Sequence, residues 1–246
     1  MIELRSVSAG YGNHTVLEAV SATFEKGKLT GIIGINGCGK STLLKVMLGI
    51  LPCKGDISVD GRSLKDMSRK EIAQKIAYLS QGKSTPDMTV EQLALHGRFP
   101  HLRYPRQYSR QDREIAFSAM EQLGLAELAQ RSLFSLSGGM RQNAYIAMAL
   151  AQDTDYILLD EPTTYLDISH QLGLMQTLRK LADGGKGIVT VMHDLPLAFT
   201  FCHRILLLGN GQIIAGGTPR EVCGDVENIF GIGLEPGEPY HYNFPV

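Results

Sequence analysis

The run Gly34-Ile-Asn-Gly-Cys-Gly-Lys-Ser-Thr42 constrains this chain more than any other feature. It has the spacing G-x-x-x-x-G-K-S, it follows an apolar stretch at 29–33, and a helical pattern runs from Lys40 to about Leu48. Glycines let such a loop turn so that successive backbone N–H groups converge on one anion, and the helix behind it presents its positive dipole end to the same charge. Lys40 adds a full positive charge, and the Ser41 hydroxyl can ligate Mg²⁺. Strand, glycine loop and helix in that order predict a nucleotide-phosphate site cradled by Asn36, Gly37, Cys38, Gly39, Lys40, Ser41 and Thr42.

A phosphate loop alone names no reaction. Tyr156-Ile-Leu-Leu-Asp160-Glu161 reads as a buried strand ending in two carboxylates, the end at which ligands sit in open parallel sheets. Asp160 there is suited to holding Mg²⁺, and Glu161 to accepting a proton from an attacking water. Alternation along a strand points the two side chains oppositely, so they can take different roles. His193 follows the apolar run 188–192 and lands at another strand end, where an imidazole can meet a γ-phosphate or position the water. Gln81 ends the run 76–80, where its amide can touch the metal or its water.

Around these residues the pattern alternates. Short β-type runs at 2–7, 20–24 and 29–33, with turn residues at Ala9-Gly10 and Lys26-Gly27, predict antiparallel strands leading into a core strand. A further strand is predicted near 57–59 and a short buried one at 76–79. Ser68 with Glu71, and Thr89 with Gln92, have capping-box spacing and mark helix starts. From Glu91 to about Arg131 the chain turns helical and polar, with 109–123 as the clearest helix and Gly124 placed to end it. Helix 139–152, strand 156–159, helix 167–182, strand 188–192 and a helix from about 196 then indicate a parallel sheet with helices on both faces. Strands 204–208 and 212–215 joined by Asn210-Gly211 predict a hairpin, and Thr218-Pro-Arg-Glu221 opens a last helix.

Composition narrows the function. The 246 residues carry 24 basic and 25 acidic side chains, a net charge of −1 that argues against nucleic acid as a partner. The longest apolar runs, 156–159 and 205–208, fall far short of the ~18–20 residues that span a bilayer. The first residues lack an apolar signal core, and Cys38, Cys53, Cys202 and Cys223 show no Cys-x-x-Cys spacing, which together predict a reducing, intracellular location. The stretch 97–113 carries Arg98, Arg103, Arg106, Arg110 and Arg113 against Asp112 alone, predicting a locally basic surface, of which a solvated face is the usual explanation and docking the alternative.

Leu136-Ser137-Gly138-Gly139-Met140-Arg141-Gln142 resembles the signature motif of ATP-binding cassette (ABC) ATPases, with Met140 where that family usually has Gln. Its place between the glycine loop and the Asp160 strand matches the family's order. The resemblance implies that Tyr11 stacks on adenine, that 34–42 is the Walker A loop, Gln81 the Q-loop, 156–161 Walker B, 164–167 the D-loop and His193 the switch histidine. It implies a P-loop NTPase of α/β class with a mixed, mostly parallel core sheet, an antiparallel β subdomain and a helical signature-motif subdomain. Residues 1–230 would form a single ATP-binding domain, with the helical part at about 88–152 and a C-terminal tail at 231–246. ATP and Mg²⁺ would be bound, the metal by Ser41, Gln81 and Asp160, with Lys40, Glu161 and His193 catalytic.

The signature also makes sense from its residues. Ser137 precedes a helical run, and Gly138 and Gly139 expose amides, so this is a second anion-binding helix tip. In the family that tip meets the γ-phosphate of ATP held by the other subunit, which implies a homodimer with two sites across a two-fold axis. The segments 97–101, 162–171, 193–198 and 209–222 further resemble ATPase subunits of importers for iron–siderophore complexes, haem and cobalamin. Such subunits sit peripherally on the cytoplasmic side of the cell membrane, bound to transmembrane permease subunits and served indirectly by an extracytoplasmic solute-binding protein. A non-transport ABC ATPase of repair or cofactor assembly would share the catalytic motifs. Repair members, however, need long coiled-coil insertions that this chain lacks, and a small-molecule P-loop kinase would lack the 136–140 signature.

Overall fold

The computed structural model describes residues 1–82, 85–164, 166–235 and 241–243. Tyr165, inside the predicted 164–167 segment, and residues 236–240 and 244–246 of the predicted tail lie outside the described residues. The chain runs β1 (Ile2–Tyr11), β2 (His14–Phe24), β3 (Leu29–Ile33), α1 (Lys40–Met47), β4 (Lys54–Val59), β5 (Arg62–Ser63), α2 (Arg69–Lys75) and β6 (Ile76–Leu79). It continues α3 (Val90–His96), α4 (Arg110–Glu121), α5 (Gly138–Ala151), β7 (Tyr156–Asp160), α6 (Ile168–Asp183), β8 (Gly187–Val191) and α7 (Leu195–Phe201). The last elements are β9 (Arg204–Gly209), β10 (Gln212–Gly217), α8 (Pro219–Phe230), β11 (Gly233–Glu235) and β12 (His241–Asn243).

The contacts divide the chain into two compact units, one of Met1–Met67 with Leu178–Val246 and one of Ser68–Thr177. In the first unit β2, β1, β4 and β5 form an antiparallel sheet. Beside it β3 pairs in parallel with both β8 and β9, and β10 returns antiparallel on β9. All five residues of β3 and of β8 are buried, which explains why each sequence is apolar but for one threonine, Thr30 in β3 and Thr190 in β8: a parallel strand covered on both faces has no solvent side to show. Asn210 and Gly211 have φ of 49° and 77°, so the β9–β10 hairpin closes with two left-handed residues, as its sequence predicts.

The first hairpin differs from the sequence reading. The turn falls at Gly12-Asn13 and not at Ala9-Gly10, and both strands run well past the predicted 2–7 and 20–24. Gly10 serves a different need: a Cβ there would overlap the His14 carbonyl oxygen of the neighbouring strand. Ser6 and Ala19, with φ of 47° and 48°, sit at register shifts that bulge the ladder without ending it. At the other end, β11 pairs with β12 beyond Gly231, whose φ of 66° closes α8.

In the second unit β6 and β7 pair in parallel, Ile76 opposite Tyr156 and Leu79 opposite Leu159. Helices α2, α3 and α4 all open on reciprocal capping boxes, Ser68/Glu71, Thr89/Gln92 and Ser109/Asp112. Val90, Leu93, Ala94, Ala116, Ala119, Met120, Ala144, Ile146 and Ala147 supply the core between α3, α4 and α5. One expectation fails here. Arg98 is not part of a basic surface: it is buried, its Nε 2.9 Å from Asp112 and its Nη1 donating to the Ala151 carbonyl at 2.9 Å. A guanidinium can leave water only where carboxylate and carbonyl acceptors replace it, and Asp112 is positioned by its own capping box. Of the other arginines, Arg110 pairs with Glu114 and Arg106 lies 4.5 Å from the Phe99 ring centroid.

Candidate functional site

In the first unit the phosphate loop leaves β3 at Gly34, whose φ of 153° and whose contact with β9 both exclude a side chain, since a Cβ would overlap the Leu208 carbonyl oxygen. Gly39, at φ 108°, forms the N-cap of α1 without a side-chain cap, so the first amides of the helix are left for another acceptor. Lys40 is buried within the loop, its Nζ donating to the carbonyls of Gly34 at 2.8 Å and Ile35 at 3.1 Å. Asn36 and Gly37 are exposed, and Thr42 is buried at the start of the helix. Cys38 is buried as well, and burial pushes its thiol up against the pull of Lys40, so it is not an activated nucleophile.

Tyr11, at the end of β1, reaches the same helix. A hydrogen bond with Thr42, and a second from Lys45 Nζ at 3.3 Å, hold its phenol below the usual range while 47% of the residue stays exposed. A ring fixed by its hydroxyl beside the loop is available for stacking. β8 lies in register with β3, Val191 opposite Ile32, so the chain leaves β8 toward His193 on the same edge at which β3 leads into Gly34. His193 is exposed there, and Asp194 behind it caps α7 by accepting from Leu197 N–H at 2.9 Å.

In the second unit the β6–β7 register brings Gln81 and the Asp160–Glu161 pair to one sheet edge. Asp160 is buried at the last position of β7, with the Tyr78 hydroxyl 3.4 Å from its Oδ2. Glu161 is held in the left-handed region at φ 52°, a conformation that a non-glycine residue adopts only where its surroundings enforce it. Gln81 Nε2 donates to Glu161 Oε2 at 2.5 Å, and Thr164 Oγ1 donates to the same oxygen at 3.3 Å. These groups, with Thr85, Gly138 and Arg141, line a cleft of about 240 Å³.

Ser137 is the N-cap of α5 and accepts from Met140 N–H at 3.3 Å. Ser137 and Gly138 are exposed, and a Cβ on Gly138 would meet nothing within 4 Å, so this helix tip is open to an incoming anion. Gly139, by contrast, is buried. Arg141 fastens the tip from behind, Nη1 donating to Thr85 Oγ1 at 3.0 Å and Nη2 to the Leu136 carbonyl at 3.1 Å.

Sequence reasoning singled out neither Thr164 nor Arg141, because their roles depend on partners far along the chain or on a turn it could only name. The donor set suits the expected ligands. Loop amides and an ammonium in the first unit match polyphosphate, and a hydroxyl such as that of Ser41 beside them is a hard donor of the kind Mg²⁺ takes when other positions go to phosphate and water.

A family model described as ABC transporter matches residues 17–164. The chain is 43% identical over 250 residues to an iron(3+)-hydroxamate import ATP-binding protein of Bacillus subtilis (strain 168), covering 100% of this chain and 93% of the relative. It is 41% identical to a probable siderophore transport system ATP-binding protein of the same organism, over 95% of this chain and 87% of that one. Among solved structures, an ABC transporter assigned to the metal-chelate type in an inward-facing conformation superposes with a TM-score of 0.84 at 28% identity, over 99% of this chain and 96% of that one. A dimeric bacterial ABC transporter cassette gives a TM-score of 0.76 at 29% identity, over 89% and 99%. With a phosphate loop, a paired-carboxylate strand end and a serine-capped glycine tip in family order, the chain belongs to the ABC transporter family as an ATP-binding ATPase subunit.

Proposed function

We propose that this chain hydrolyses ATP to drive uptake of an iron–siderophore complex or related metal chelate. It would work from the cytoplasmic side of the cell membrane, bound peripherally to transmembrane permease subunits and served indirectly by an extracytoplasmic solute-binding protein. The observation that carries the reading is the end-to-end likeness to an iron(3+)-hydroxamate import protein. Among the described residues no helix is long and apolar enough to cross a membrane.

In this reading Tyr11 stacks on adenine and the amides of 36–42 hold the phosphates, with Lys40 exchanging its loop carbonyls for phosphate oxygens. Ser41, Asp160 and Gln81 would hold Mg²⁺, whose charge offsets that building on the phosphates. Glu161 accepts a proton from water as the water oxygen bonds to Pγ and the bond to the bridging oxygen of ADP breaks, giving ADP and phosphate. The hydrogen bond from Gln81 occupies one of the two Glu161 carboxylate oxygens, and in this reading Gln81 releases it as it turns toward the metal. His193 with Gln81 reports the γ-phosphate. Two copies pair so that Ser137 and Gly138 of each, with the Gly139 amide behind them, meet the phosphates on Lys40 of the other; that a similar cassette is dimeric supports the pairing.

Cells in which Glu161→Gln replaces the natural subunit should lose uptake of radiolabelled ferric hydroxamate, with turnover of the purified protein falling about 10²- to 10⁴-fold. Uptake that persists while haem or cobalamin uptake fails would reassign the cargo. Unchanged turnover would remove Glu161 from the base role.

A further inference from the structure

Gly139 is buried because a side chain from another element lies on it. A Cβ built on Gly139 would overlap the His170 imidazole, with Cγ at 2.6 Å and Nε2 at 2.7 Å. The ring is therefore seated against the backbone of the second residue of α5, one residue behind the open tip at Gly138. It is also fixed from its other side. His170 Nδ1 lies 2.9 Å and 2.8 Å from the two carboxylate oxygens of Asp167, so that nitrogen carries the proton. Asp167 is held in turn by the backbone N–H of His170 at 2.9 Å and the Ser169 hydroxyl at 2.7 Å, in the manner of an N-cap on α6.

The stretch between Glu161 and α6 is tied to the same anchor. Gln171 Nε2 donates to the carbonyls of Thr163 at 3.2 Å and Leu166 at 3.1 Å, and Thr164 reaches Glu161 directly. Contacts therefore link Glu161 to Thr164, Thr163 and Leu166 to Gln171, Asp167 to the neighbouring His170, and His170 to Gly139. We infer that His170 is a positioning residue that braces the Ser137–Gly138 tip against the segment carrying Glu161. The inference rests on the reading above, in which that tip serves the nucleotide of the partner copy while Glu161 serves the nucleotide of its own. His170 then makes the placement of one half-site depend on the other, without touching substrate.

His170→Ala should lower kcat for ATP roughly tenfold and bring the Hill coefficient toward one. Affinity of single protomers for a fluorescent ATP analogue should stay within about twofold, because the Lys40 loop is untouched. His170→Asn, which keeps a donor for Asp167 but loses most of the ring, should fall between wild type and His170→Ala in kcat; if the alanine variant does not fold, this variant decides alone. Wild-type kcat and cooperativity in these variants would overturn the inference. So would loss of nucleotide affinity in step with kcat, which marks general distortion. Ser137→Arg separates the two levels: if it is inactive while His170→Ala is normal, only the brace fails, and if Ser137→Arg is fully active, the shared-site reading itself fails.

Discussion

Ser137 does two jobs at once. Its hydroxyl caps α5, and its exposed position with Gly138 leaves the first amides of that helix facing outward. Ser137→Arg would fill that approach with a long cation while leaving the Lys40 loop unaltered. Turnover should drop to background and monomer ATP binding should remain nearly intact, as separate ATPase and fluorescent-nucleotide titrations would show. At this scale much was legible. The glycine loop, the paired carboxylates and Ser137 announce themselves because each is a local motif whose chemistry needs fixed spacing. What stayed hidden were residues whose roles need the folded chain: Arg141 and His170, defined by the distant Thr85 and Gly139, and Thr164, which a turn brings back onto the Glu161 oxygen that Gln81 also holds. Arg98 shows the same limit in reverse, since a count of charges along 97–113 cannot tell a solvated arginine from one that turns inward.

Among elements, the helices of the second unit meet at that inward arginine. Arg98 lies just beyond α3, Asp112 is in the first turn of α4, and Ala151 ends α5. Removing one member strands the others out of water, so Arg98→Ala should destabilise the protein by about 3–5 kcal/mol, read as a lower midpoint in denaturant. Burial pushes the Asp112 carboxyl up, but the Ser109 hydroxyl, Arg98 and the Ser109 amide outweigh it and hold it below its usual value. The sign follows. The contribution is complete above the ordinary carboxylate range near ~4 and is lost as pH falls through the lowered native value, so wild type should shed stability in acid that Asp112→Asn has already lost. Denaturant midpoints of the two proteins across that range would check it. Element order and type were readable because capping boxes and apolar periods are local. The length of β1 and β2 was not, since bulges at Ser6 and Ala19 let a ladder continue through what looks like a break.

For the whole molecule, the question is what two copies do together. If ATP joins them by binding the Lys40 loop of one and the Ser137 tip of the other, blocking hydrolysis should preserve the pair. Glu161→Gln with ATP should therefore elute at twice the monomer mass in light scattering and revert when nucleotide is removed, whereas wild type with ADP should stay monomeric. A variant that never pairs would leave Ser137 without its assigned purpose. The Arg98 fastener bears on how such a machine could be worked from outside. It ties the end of α3, the first turn of α4 and the last residue of α5 at one interior point, over and above their packed apolar faces, so a push on one of these helices should be shared by the other two.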